Sequence, residues 1–330
     1  MSALLEIRDL AVAYAVPTDG IWHKPLELRA LDGVSFTVAS GETLGVVGES
    51  GCGKSTLARA ILGLVPAAAG TIAWLGRDLA RLDRRARRAL CRDLQVVFQD
   101  PLASLDPRMT AGQIIAEPLV THAPELGRRA IAELVARAMV RVGLDPLQLN
   151  RYPHEFSGGQ CQRIAIARAT ILEPKLLVCD EPVSALDVSI QAQIVNLLVG
   201  MQDELGLALI FISHNLAIVR HVSHRIAVLY LGRLVEIGPA EALFRAPRHP
   251  YAKALIAALP IPDPDLELAR VAPALMGDPP SPLAPPSGCA FRTRCAHAVA
   301  RCAAERPVLE LAGDHAVACH RWRELARPEV

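Results

Sequence analysis

Gly48-Glu49-Ser50-Gly51-Cys52-Gly53-Lys54-Ser55-Thr56 is the stretch on which the fold turns. Thr43-Leu44-Gly45-Val46-Val47 before it is a largely apolar run that reads as a buried strand. Leu57, Ala58, Ile61 and Leu62 after it recur at the spacing of a helix face. A strand, a glycine-rich turn and a helix in that order form the context of a phosphate-binding loop. With no Cβ at the glycines, successive backbone N–H groups can converge on an anion. The helix start adds the positive end of its dipole, Lys54 is placed to reach the β- and γ-phosphates, and the Ser55 hydroxyl can ligate Mg²⁺. The bland alternative is a glycine-rich turn that happens to precede a helix. It requires Gly48, Gly53, Lys54 and Ser55 to fall in register by accident between two correct flanks. Nucleotide binding follows.

The chain has 330 residues, enough for one large α/β domain and a smaller appendage. Apolar residues make up 52% and charged residues 21%, so a substantial core is expected and general disorder is not. A formal net charge of +1 gives no electrostatic reason to expect nucleic acid as a partner. Arginines cluster from Arg77 to Arg92, but Asp78, Asp83 and Asp93 interleave with them, as on a solvated helix face. The apolar run from Leu205 to Ile212 falls far short of the ~20 residues a membrane crossing needs. The start, Met1-Ser2-Ala3-Leu4-Leu5-Glu6, lacks the basic and long apolar regions of a signal peptide, so a cytosolic location with reduced thiols is expected.

Leu4 to Tyr14 alternates as a strand does, and Gly33-Val34-Ser35-Phe36-Thr37-Val38 reads as a second strand. Tyr14 ends the first strand, where it can stack on a base ring or simply pack. Gln95 to Val97 is a short strand leading to Gln99. From about Thr110 to Leu149 the pattern turns helical, with Ile114, Ile115 and Leu119 and then Ile131, Leu134, Val135, Ala138 and Val142. A block of helices between strands implies an inserted subdomain. Ser157-Gly158-Gly159-Gln160 opens another helix, as an ordinary N-cap or as a second anion site. Leu176-Leu177-Val178-Cys179-Asp180-Glu181 is a buried strand with two carboxylates at its C-terminal end, where ligands of open α/β sheets bind. Asp180 is placed to hold Mg²⁺ through water, and Glu181 to orient or deprotonate an attacking water. Ser184-Ala185-Leu186-Asp187 follows as a loop, and the strand Leu209 to Ile212 ends at His214, which is either structural or a γ-phosphate contact. A hairpin is expected over residues 227–238, then a proline-rich linker from Pro260.

GESGCGKST at 48–56, Gln99, FSGGQ at 156–160, LLVCDE at 176–181, SALD at 184–187 and His214 occur in the order seen in ABC-transporter ATPase subunits. Over residues 4 to about 259 the chain resembles that family. The resemblance implies a P-loop NTPase, RecA-like α/β core with an N-terminal antiparallel β subdomain and a helical subdomain inserted at about 101–163. Residues 1–259 would form the ATPase domain and 260–330 a linker and cysteine-bearing extension. ATP and Mg²⁺ are the implied ligands. Tyr14 would stack on adenine, Gly48 to Thr56 cradle the phosphates, and Gln99 sense the metal and relay to a membrane partner. Ser55, Gln99 and Asp180 would surround Mg²⁺, Lys54, Glu181, His214 and Gln99 would carry the catalysis, and Asp187 would belong to the nucleotide site. Ser157, Gly158, Gly159 and Gln160 would act in trans, on ATP held by a second ATPase subunit.

Residues between Tyr14 and Leu31, EPVSALDVSIQAQI at 181–194 and Arg248-His249-Pro250-Tyr251 are similar to the oligopeptide and dipeptide importers, whose relatives carry nickel or opines. The expected partners are then a paralogue or a second copy as the other ATPase, two permeases and a periplasmic or extracellular solute-binding protein, with this chain peripheral on the cytoplasmic face of the membrane. The alternatives are the same transporter class with nickel, an opine or another small solute as cargo, or a soluble non-transport ABC ATPase. Cys161, Asn215 and Ala296 depart from the usual pattern without removing a phosphate contact.

Half of the 8 cysteines lie near the C-terminus: Cys289, Cys295, Cys302 and Cys319. Disulfides are disfavoured by the expected compartment, and zinc sites commonly use closer pairs. Spacing alone does not choose between zinc and iron. The resemblance points to a 4Fe–4S cluster, with zinc as runner-up. Its distance along the chain from the phosphate-binding motifs suggests a structural role.

Overall fold

The computed structural model describes residues 3–17, 26–259 and 277–325. Pro260, Pro262, Pro264 and Pro273 of the expected linker, and residues 18–25 of the N-terminal insertion, lie outside the described residues. The chain divides into two compact units. One comprises Met1–Leu5, Thr37–Thr43 and Ala73–Ser213; the other comprises Glu6–Phe36, Leu44–Ile72 and His214–Val330.

The chain opens with β1 (Leu5–Val16) and β2 (Leu26–Val38), continues into β3 (Thr43–Val47) and helix α1 (Lys54–Ile61), and returns through β4 (Ala69–Trp74) and β5 (Arg77–Asp78). β1, β2, β4 and β5 form a four-stranded sheet of order β2-β1-β4-β5. In β1 the buried residues Leu5, Ile7, Leu10 and Val12 lie mostly two apart, as a half-buried strand requires. Left-handed Asp9 breaks the alternation between Ile7 and Leu10. Helix α2 (Arg84–Asp93) follows, capped by the Asp83 carboxylate and without a buried residue. The arginine cluster is thus a solvated helix face.

β6 (Leu94–Val97) leads to four helices: α3 (Pro101–Ser104), α4 (Ala111–His122), α5 (Arg128–Arg141) and α6 (Gly158–Thr170). α4 starts at a reciprocal cap between Thr110 and Gln113 and packs against α5 and α6. β7 (Leu176–Asp180), α7 (Val188–Leu205) and β8 (Ala208–Ile212) complete the first unit. β6, β7 and β8 pair in parallel, in the register Leu94↔Leu176 and Leu176↔Ala208 through Asp180↔Ile212. All residues of β7 and β8 are buried, which is why both read as unbroken apolar runs instead of alternating ones.

In the second unit α8 (Leu216–Val222) precedes β9 (Arg225–Tyr230) and β10 (Arg233–Pro239), followed by α9 (Ala240–Arg245), α10 (Pro250–Ala257), α11 (Ala300–Ala304), β11 (Glu310–Ala312) and β12 (His315–Val317). β3 runs parallel to β9, in the register Leu44↔Arg225 to Val47↔Val228. β9 and β10 form the expected hairpin. Its two-residue turn, Leu231-Gly232, is left-handed at both positions, matching the twist of the flanking strands. β12 adds antiparallel to the other edge of β10, and β11 to β12, so part of the C-terminal extension belongs to this sheet. No helix among the described residues is long and apolar enough to cross a membrane.

Candidate nucleotide site

In the second unit, β3 delivers the chain into the loop 48–56, and α1 begins at Lys54. Gly48 and Gly53 have φ of +154° and +107°. A Cβ at Gly48 would collide with the Leu229 carbonyl and the Cys52 sulfur, and one at Gly53 with the Ala30 carbonyl. Only glycine fits these positions. Gly53 caps α1 without a side-chain hydrogen bond, and no acidic residue lies in the first turn. The helix start therefore offers its N–H groups and dipole to an anion. Lys54 is buried and its Nζ donates to the Gly48 and Glu49 carbonyls at 2.8 and 3.0 Å, which folds the ammonium back over the loop. Burial pushes the Cys52 thiol up, so it is a neutral packing group. Ser50 and Gly51 are exposed, while Ser55 and Thr56 are half-buried.

Tyr14 is half-buried, with its hydroxyl enclosed and without a hydrogen-bond partner among the described residues. His214 is exposed. Next to it Asn215 caps α8 by accepting from the Ala217 and Ile218 N–H groups at 3.1 and 3.3 Å, the task that the more usual aspartate performs equally well.

In the first unit, Asp180 is the buried last residue of β7. Glu181 sits in the left-handed region at φ +49°, uncommon for a residue with a Cβ, and its N–H donates to the Ile212 carbonyl at 2.9 Å. The kink turns the carboxylate out of the strand line, where Gln99 Nε2 donates to it at 3.2 Å. Two residues 82 positions apart are thus brought together at the carboxyl ends of β6 and β7. Ser157 and Gln160 cap each other at the start of α6: the Ser157 N–H donates to Gln160 Oε1 at 2.9 Å and the Gln160 N–H to Ser157 Oγ at 3.4 Å. Ser157 and Gly158 are exposed, and so is Asp187, which starts α7 without a side-chain cap.

The sequence did not point to two residues that touch the loop. The Tyr251 hydroxyl accepts the Glu49 N–H at 2.9 Å, and Arg294 makes a two-pronged ion pair with the Glu49 carboxylate at 2.8 and 3.0 Å. The Arg248-His249-Pro250-Tyr251 motif explains the first contact. Buried Glu236 accepts from the Arg248 and His249 N–H groups, and His249 Nδ1 accepts from the Tyr251 N–H at 3.0 Å, so α10 presents Tyr251 to the loop. Burial lowers the His249 pKa to about 3, keeping the ring neutral as an acceptor. The cysteine-bearing segment is therefore near the phosphate loop in space, although remote from it along the chain.

Cys289, Cys295, Cys302 and Cys319 line one small cavity, together with His297 and His320. Burial raises the thiols of Cys289 and Cys295, and pushes that of Cys319 up to about 11. Yet no group of three or more His, Cys, Asp or Glu among the described residues is arranged to hold a metal. The four thiols line the same cavity without forming such a group.

Residues 31–184 match the family model described as ABC transporter, and residues 235–302 match the one described as oligopeptide/dipeptide transporter, C-terminal region. The oligopeptide transport ATP-binding protein OppF of Salmonella typhimurium is 58% identical over 96% of this chain and 95% of its own. The chain belongs to the ABC-transporter ATP-binding subunits of the oligopeptide/dipeptide family. Further along the same family, the di/tripeptide transport ATP-binding protein DppF of Pseudomonas aeruginosa is 49% identical over 97% of this chain and 98% of its own. Among solved structures, cbiO1 of Clostridium perfringens, part of the cbiONQ ABC transporter complex, superposes with a TM-score of 0.64 at 29% identity, covering 74% of this chain and 92% of that one. A dimeric ATP-binding cassette in a post-hydrolysis state, bound to ADP and Pi, has a TM-score of 0.64 at 25% identity, covering 72% and 98%. The chain is an ATPase of the P-loop α/β class.

Proposed function

We propose that this ATPase powers uptake of oligopeptides or dipeptides by an ABC importer. Similarity to peptide-transport subunits along nearly the whole chain, including the C-terminal region matched at 235–302, is the observation that carries the cargo class. Its partners on this reading are two permeases, a solute-binding protein and a second ATPase, with the chain peripheral on the cytoplasmic face of the membrane. Residues 1–259 act as the ATPase domain, with the helices of about 101–163 as its inserted part, and 260–330 as the extension.

Each side chain has a task in the hydrolysis of ATP. The loop N–H groups and Lys54 hold the β- and γ-phosphates, and Tyr14 stacks on the adenine. Glu181 takes the proton of the attacking water, Gln99 orients that carboxylate, and His214 donates to a γ-phosphate oxygen. Ser55, Asp180 and Gln99 are the residues that would hold Mg²⁺, which when bound neutralises phosphate charge. Ser157 to Gln160 complete the site on ATP held by the opposite subunit, and Asp187 belongs to the nucleotide site.

Uptake of a labelled tripeptide in cells lacking this chain, restored by wild type and not by Lys54→Ala, tests the reading. Restoration of nickel or opine uptake with no effect on peptides would replace the cargo.

A 4Fe–4S cluster on Cys289, Cys295, Cys302 and Cys319, with zinc as runner-up, is a finer reading supported only by the shared cavity of the four thiols. Anaerobically purified protein containing four iron atoms per chain, lost in Cys295→Ser, would establish it; one zinc per chain would establish the runner-up, and neither metal would remove both.

A further inference from the structure

We propose that Arg294 is a positioning residue of the nucleotide site, acting on bound ATP through Glu49. The proposal rests on the phosphate-loop reading above and extends it to the C-terminal extension. Arg294 ends a single helical turn, Arg292–Arg294, immediately before Cys295. Its side chain is 5% exposed, Nη1 and Nη2 reach the two Glu49 oxygens, Nε donates to the Gly277 carbonyl at 3.1 Å, and the guanidinium lies 5.9 Å from the Tyr230 ring centroid. The turn that carries it is held by Phe291, whose ring packs edge-on against Tyr230 and tilted against Tyr251.

Glu49 is thereby held at every functional group it possesses. Its N–H goes to Tyr251, its carbonyl accepts from Lys54, and its carboxylate is gripped by Arg294. A two-pronged guanidinium–carboxylate pair fixes orientation as well as charge. Orientation matters here because Glu49 is the second residue of the loop whose N–H groups receive the phosphates. Charge matters more. A carboxylate in an anion-binding loop lies well within the screening length of the triphosphate and repels it unless neutralised. A buried ion pair contributes little to stability by itself, since desolvation offsets attraction. Cancelling the Glu49 charge beside the phosphates gives this buried arginine a task that stability does not.

Opposite signs are the signature. Removing Arg294 leaves Glu49 facing ATP unpaired, so Arg294→Gln should raise the Kd for ATP about tenfold. Glu49→Gln removes the negative charge beside the phosphates while Arg294 stays in place, so it should lower the Kd about threefold. A merely structural pair would weaken binding in both variants. The measurement is equilibrium binding of ATP to the purified full-length chain, alongside the melting temperature without nucleotide and with Lys54→Ala as control. Arg294→Lys, which keeps the charge and loses the fork, should fall between wild type and Arg294→Gln. In the assembled transporter the KM for ATP should follow the Kd while kcat changes less than twofold. Wild-type affinity in a folded Arg294→Gln overturns the proposal, and unchanged or weaker binding in Glu49→Gln overturns it even if Arg294→Gln does not fold. If Lys54→Ala also binds ATP like wild type, the loop assignment itself is wrong and the proposal falls with it.

Discussion

Gln99 Nε2 donates to the Glu181 carboxylate at 3.2 Å, joining the second residue after β6 to the kinked residue after β7. A carboxylate held in this way is aimed before substrate arrives, which suits a base more than a solvated loop acid. Parallel pairing of β6 with β7 in the register Val97↔Cys179 is what brings the two loop residues together.

Glu181→Gln should retain ATP binding and slow hydrolysis about 10²–10⁴-fold, since an amide preserves shape but cannot take a proton. With ATP and Mg²⁺ the variant should accumulate as a closed dimer on a sizing column. A wild-type phosphate-release rate would remove Glu181 from the mechanism. Gln99→Ala should slow hydrolysis by a smaller factor, because the base remains while its orienting donor and one contact to Mg²⁺ are lost.

Lys54→Ala removes the ammonium that sits over the Gly48 and Glu49 carbonyls. Turnover should become undetectable, because the charge developing on the β/γ-phosphates is no longer met. The helix start and the glycine geometry persist, so the melting temperature without nucleotide should shift little; a large drop would recast Lys54 as a structural residue.

Ser157 already serves as the N-cap of α6, so its replacement has a local cost of about 1 kcal/mol whatever its other role. Ser157→Arg separates the roles. If the motif acts in trans, ATP affinity of the isolated monomer should be unchanged while ATP-driven dimerisation is blocked by the bulky side chain at the exposed helix start. An affinity loss equal to that of Lys54→Ala would place the motif in cis.

His249 supplies a pH dependence that can be signed. Burial lowers its pKa to about 3 in the folded chain, against the usual value near 6.5. Between those values the unfolded chain binds a proton that the folded chain does not, so stability is complete above about pH 6.5 and falls as pH falls, by about 1.4 kcal/mol per unit. His249→Asn keeps a side-chain acceptor for the Tyr251 N–H and has no titrating ring. Urea unfolding midpoints from pH 6.5 to 4 should therefore slope less steeply in the variant. An unchanged slope would assign the acid sensitivity to other groups.

Much of the phosphate loop was legible in its residues. The steric demand at Gly48 and Gly53, the lysine and the apolar flanks are local, and local chemistry is written in consecutive letters. β7 and β8 were legible for a related reason: strands buried on both faces leave continuous apolar runs, and these end in Asp180-Glu181 and Ser213-His214. The Leu231-Gly232 hairpin and the solvated helix from Arg84 to Asp93 also follow from short-range patterns.

Contacts between distant segments were not legible in the same way. Nothing in the spacing of Arg294 and Glu49 announces that 245 residues of chain fold back to pair them. The pairing depends on β12 joining the edge of β10 and on Phe291 packing between Tyr230 and Tyr251, which no periodicity encodes. The cysteine-bearing extension is remote from the phosphate loop along the chain, and only tertiary structure brings its Arg294 against Glu49. The sequence by itself determined the glycine-rich loop, its helix start and the buried strands that end at the candidate residues, because those requirements are local backbone geometry and side-chain type. Only the tertiary structure decided what grips the loop, because long-range contacts are selected by the packing of whole elements and not by neighbouring residues.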